Sequence, residues 1–108
     1  MGIKLIVSAS RGIMAAMDIQ DTSDVIQTMN ECAGGDPETW RIETFRMHRL
    51  SEKHGYQDVT VEIWDRGSKI TPRYHVSAKT SEGQHCTGNS GDDLNEVIRL
   101  VHWYQLDR

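Results

Sequence analysis

Five histidines and two cysteines are the residues of this 108-residue chain whose chemistry stands out first. His48, His54, His75, His85 and His102, with Cys32 and Cys86, are the donor types that hold zinc and other transition metals. Their spacing builds no local site. No Cys-x-x-Cys or His-x-x-x-His pair occurs, and the adjacent His85 and Cys86 point apart if they lie on a strand. A site assembled in three dimensions from His75, His85 and Cys86 is the one metal reading left open. Paired carboxylates occur at Asp92 and Asp93, where the start of a helix accounts for them better than acid–base work. Serine, histidine and aspartate are plentiful, but none sits in a nucleophile turn beside a base and an orienting group. No catalytic residue, cofactor or metal is assigned, and the balance leans away from an enzyme.

A second constellation is basic. Arg41, Arg46, His48, Arg49, Lys53 and His54 lie in one segment, and Arg66, Lys69 and Arg73 follow near the next loop. Trp40, Tyr56, Trp64 and Tyr74 are interleaved with them. Cations beside exposed rings on a sheet are what base stacking and phosphate contact require. A solvated strand face neutralised by Glu38, Glu43, Glu52 and Glu62 is the simpler account. The net charge of −4 favours it, because phosphate-held domains are usually basic. Candidate partner-binding residues are Arg46, Arg49, Lys53, Trp64, Arg66, Lys69 and Arg73.

These side chains need a scaffold, and the composition supplies one. Hydrophobic residues make up 37% and charged residues 26%, the balance of one folded domain spanning residues 1–108. No apolar run approaches the roughly 20 residues that span a bilayer. The opening GIKLIVSAS is short and meets Arg11, so it does not read as a signal peptide. Two free thiols in a cytosolic protein are expected.

Ile3–Val7 is β-rich and suits a short covered strand. Ser8–Met17 is a turn leading into a short helical piece. In DTSDVIQTMNECAGG, Thr22 or Ser23 caps a helix whose face carries Val25, Ile26, Met29, Cys32 and Ala33. Gly34 and Gly35 stop it. From Thr39 to Leu50 the apolar residues scatter around a helical wheel but alternate as Trp40/Ile42 and Phe45/Met47. That pattern predicts a strand with a β-bulge near Thr44. Gln57–Asp65 and Arg73–Thr80 alternate cleanly and predict strands. Gln84–Thr87 adds a short one. From Asp92, Leu94, Val97, Ile98, Val101 and Tyr104 recur at helical spacing, with Leu100 and Trp103 widening the stripe. This predicts a terminal helix reaching Leu106 and lying on the sheet.

Two resemblances follow. Ile6-Val7-Ser8-Ala9-Ser10-Arg11-Gly12-Ile13 resembles the strand and glycine-rich turn that open short-chain dehydrogenases. Ser8 and Met14 stand where two of the glycines would be, and no Tyr-x-x-x-Lys pair follows, so no dinucleotide is implied. The order helix, three strands, helix is similar to double-stranded-RNA-binding domains. Those start their last helix on lysines, whereas this chain has Ser90-Gly91-Asp92-Asp93, which repels phosphate.

The expectation is an α+β fold: an antiparallel β-sheet of three to four strands with two helices packed on one face. The function expected of it is that of a small binding or regulatory protein acting through its surface on a protein partner. Nucleic-acid binding through residues 40–73 comes second and a small enzyme third. No membrane is implied, and self-association is left open.

Overall fold

The computed structural model describes residues 22–108. The expected strand at Ile3–Val7, the turn after it and the dehydrogenase-like motif lie outside the described residues. The order is helix α1 (Thr22–Ala33), strands β1 (Arg41–Ser51), β2 (Gly55–Asp65), β3 (Tyr74–Thr80) and β4 (His85–Thr87), and helix α2 (Leu94–Arg99). A 3-10 segment, Trp103–Asp107, follows α2. The four strands form one antiparallel sheet in the order β1-β2-β3-β4.

Register assigns the faces, because directly opposed residues share a side of the sheet. Val61 of β2 stands opposite Ala78 of β3 and Ala78 opposite Cys86 of β4, with Val59 and Val76 on the same face. All five are buried, and Val97, Val101 and Leu106 complete the same core from above. The outer face carries Arg46, His48, Glu62, Trp64, His75 and Lys79. One dry and one wetted face is the usual economy of an antiparallel sheet.

Residues 39–50 are resolved in favour of a strand, but without the expected bulge. The β1–β2 register runs unbroken from Arg41 opposite Asp65 to Ser51 opposite Gly55. Apolar residues simply occupy both sides of β1: Phe45 and Met47 on the core side, Ile42 and Leu50 on the outer side. A three-residue turn joins β1 to β2. The Ser51 hydroxyl accepts from the Lys53 and His54 amides, and Gly55 supplies the left-handed residue at φ 73°.

The terminal helix is shorter than its apolar spacing predicts. Asp93 caps α2 by accepting from the Asn95 amide at 3.0 Å, and the helix ends at Arg99. Beyond it the His102 amide donates to the Thr87 carbonyl of β4 at 3.1 Å instead of continuing the helical ladder. Gly88 permits that approach. A Cβ there would lie 2.8 Å from the Leu100 carbonyl oxygen and 3.0 Å from Val101 Cα. Leu100 and Tyr104, expected in the apolar stripe, are therefore exposed, and Leu106 is fully buried. Trp103 lies against the core and donates its indole N–H to the Ile98 carbonyl.

The cover over the core face comes from α2 and the terminal turn. Helix α1 is tied instead to the end of the sheet. Thr22 accepts from Arg41, Asn30 accepts from Thr39, and Ser23 accepts from the Ser68 amide in the β2–β3 loop. Of its predicted apolar face only Ile26 is buried; Met29 is 53% exposed. The helix ends as expected before Gly34 and Gly35, both at positive φ.

Candidate binding surface

The two outer strands of the sheet differ. Strand β4 is three residues long, and the terminal segment already crosses it through the His102–Thr87 hydrogen bond. Strand β1 is eleven residues long and, among the described residues, pairs with β2 alone. Among the described residues no strand pairs with its other side, whose backbone donors and acceptors are a template for one. No proline or bulge interrupts it.

The side chains of β1 add apolar area to that edge. Phe45 sits directly opposite Val61, and Met47 opposite Val59, so both continue the core face. They lie beyond the cover, with Phe45 53% and Met47 37% exposed. On the outer face Ile42 and Leu50 are exposed as well, and Tyr56, opposite Leu50, stacks on His48 with ring centroids 4.9 Å apart. Apolar exposure on both faces of one outer strand is what a monomer avoids and an interface uses.

The predicted partner-binding residues fall in three places. Arg46 stands on the outer face of β1, open to solvent. Arg49 and Lys53, at the hairpin end, are bound to the chain's own C-terminus. Arg49 makes a two-pronged contact with Asp107 at 2.7 and 2.9 Å, and Lys53 donates to the Arg108 carbonyl. Trp64, Arg66 and Arg73 line a groove of about 480 Å³ together with Trp40, Tyr74 and His75. There Arg73 is paired to Asp65, Arg66 donates to the Pro72 carbonyl, and the Trp40 and Trp64 rings meet edge to face at 5.7 Å. Among the described residues the Trp64 indole nitrogen, which is buried, meets no hydrogen-bond partner. Lys69, on the adjoining β2–β3 loop, donates to Gln27 of α1 and lines a neighbouring hollow with Arg66. The seven residues do not form one patch.

The open metal reading meets the register of β3 and β4. His75 and His85 lie on the outer face, and Cys86 lies in the core. His75 is hydrogen-bonded by Ser90 and Thr87 at its two ring nitrogens. Burial pushes the Cys86 thiol up, only partly opposed by Arg49, so it stays protonated. Among the described residues no three His, Cys, Asp or Glu side chains gather as a ligand set.

The Arg49–Asp107 clamp sets a pH dependence. The Arg49 hydrogen bonds, helped by the Ser51 hydroxyl, hold the Asp107 carboxyl down to about 2. Its ordinary value is about 3.9. A depressed carboxylate contributes stability that is complete above the ordinary value and lost as pH falls through the lower one. The terminal turn should thus stay clamped at neutral pH and release between roughly pH 4 and 2. Carbon-detected NMR titration of the Asp107 carboxyl is the check. Its midpoint should lie near 2 and rise toward the ordinary value in Arg49→Ala. Asp65 behaves alike: burial alone would raise it, but Arg73 and the Gly67 amide hold it below its usual range.

Phe45, Met47 and Leu50 were visible in the sequence as strand residues, but not as exposed ones. Their alternation gives two faces; only the strand order reveals that, among the described residues, no element lies over them. No family model matches the chain, and comparison with curated proteins and with solved structures finds no match either, so the function is argued from geometry.

Proposed function

We propose that this is a small non-enzymatic binding and regulatory protein whose partner is another polypeptide, and that the partner docks along β1. One observation carries this reading: an eleven-residue outer strand with an unpaired edge among the described residues, bearing Phe45, Met47 and Leu50 exposed. Strand addition supplies main-chain hydrogen bonds for affinity, and alternate side chains supply selectivity. The exposed free thiol of Cys32 supports a reducing compartment such as the cytoplasm.

Nucleic acid is the second reading, favoured by Arg46, His48 and Lys79 sharing the outer face with Tyr56 and Trp64. Asp58 and Glu62 share that face and oppose it. Photo-crosslinking in host cells separates the two. A photoreactive residue at Phe45 should capture a protein in nuclease-resistant adducts, and one at Glu82, in the far β3–β4 turn, should not. Adducts confined to Glu82, or destroyed by nuclease, would overturn the protein-partner reading.

A further inference from the structure

We infer that the polypeptide docking on β1 is a second copy of this chain, the two β1 strands pairing antiparallel about Arg46. This rests on β1 being the docking edge. A two-fold axis normal to the sheet keeps both core faces on one side. Opposed residues must then come from the same face, so the axis passes midway between one residue and its own copy in the partner. Three positions near the middle of β1 qualify: Phe45, Arg46 and Met47.

Arg46 is the midpoint of Arg41–Ser51, so an axis there brings all eleven residues into the ladder. Phe45 then opposes the partner's Met47 on the core side, and Ile42 opposes the partner's Leu50 on the outer side. Glu43 opposes the partner's Arg49, a secondary contact because Glu43 is already paired with Arg41 and Arg49 with Asp107. Each contact occurs twice, and each joins like with like in polarity or opposite with opposite in charge. Thioether against ring is a favourable pairing in its own right. The single adverse contact is Arg46 against the partner's Arg46, on the solvated outer face, where repulsion is screened.

The neighbouring axes do worse. An axis at Phe45 sets Glu43 against the partner's Met47 and Ile42 against the partner's His48, each twice, a polar group against an apolar one. An axis at Met47 leaves Arg41 and Ile42 outside the ladder and puts Phe45 against the partner's Arg49. The sequence of β1 is therefore complementary to itself in one register. The result is an eight-stranded sheet whose middle pair covers its own open edges and brings four exposed core-side residues, Phe45 and Met47 from each copy, together.

Sedimentation velocity and disulfide trapping of the full chain test this. The wild-type chain should sediment as a monomer–dimer equilibrium, and Phe45→Lys should raise the dissociation constant at least about tenfold. Directly opposed residues have Cα atoms about 4.5–5.5 Å apart, within the roughly 4.4–6.8 Å a disulfide spans. In a Cys32→Ser background, Arg46→Cys should give a covalent dimer under mild oxidation. Phe45→Cys, diagonal to its own copy at about 7–8 Å, should not. A chain that stays monomeric and fails to couple through Arg46→Cys overturns the inference, as does coupling through Phe45→Cys in its place. If that happens while photo-adducts at Phe45 contain a different protein, β1 remains the docking edge and only the second copy is lost. Adducts found at Glu82 alone remove the docking edge itself.

Discussion

Leu106→Ala is expected to lower the stability of the domain by about 2–5 kcal/mol, while Leu100→Ala changes it by no more than about 0.5 kcal/mol. The two leucines stand six positions apart in a stretch that reads as one amphipathic helix. Leu106 has no exposed surface and closes the core over Val59, Val76 and Cys86, whereas Leu100 is 56% exposed. Its backbone is held as well: buried Gln57 donates to the Leu106 carbonyl at 2.7 Å. Truncation to alanine removes the side chain from a site whose neighbours are fixed by β2 and β3, so the cavity is poorly refilled. Urea denaturation of both variants measures the difference. Equal losses would mean that the terminal turn is not seated on the sheet.

Phe45→Lys combined with Met47→Lys is expected to weaken partner binding roughly 100-fold, since each interface anchor of this kind is worth about 1–2 kcal/mol. The folded chain should tolerate both changes, with its stability moving by about 0.5 kcal/mol or less, because neither side chain is buried. Titration calorimetry of the isolated partner, or dilution calorimetry where the partner is a second copy, reads the affinity. Thermal melting reads the fold. Arg46→Ala is the contrasting variant. If binding were held by phosphate contacts, that change would cost more than the double substitution and would flatten the salt dependence. With apolar strand pairing it costs little, because it removes the one like-charge contact.

Much of this architecture was legible from periodicity. Strands β2 and β3 alternate cleanly, and Val59, Val61, Val76 and Ala78 all emerge in the core. Strand β1 was legible as a strand but not in its details. A bulge was expected only because every apolar residue was assigned to one buried face, and β1 carries them on two. The end of the terminal helix was not legible at all. Its spacing places Val97 and Val101 correctly, but the break after Leu100 depends on Thr87 and Gly88, residues of another element.

The candidate surface follows the same division. The cations were visible, but their partners were not. Arg49 meets Asp107 across 58 positions, and Arg73 meets Asp65 across the β2–β3 loop. Both guanidiniums serve internal carboxylates. The exposure of Phe45 and Met47 depends on β1 being outermost among the described strands, which is a property of strand order and leaves no trace in local composition.

Amide hydrogen exchange along β1 tests most directly whether two copies pair at the docking edge, with the wild-type chain and the Phe45→Lys, Met47→Lys variant compared at high concentration and on dilution. The expected result is that the amides of residues 41–51 pointing away from β2 exchange slowly in concentrated wild-type protein and fast on dilution or in the variant, while those bonded to β2, and residues 57–64 and 74–80, exchange alike in every sample. Identical uptake over residues 41–51 in both proteins at every concentration would contradict it.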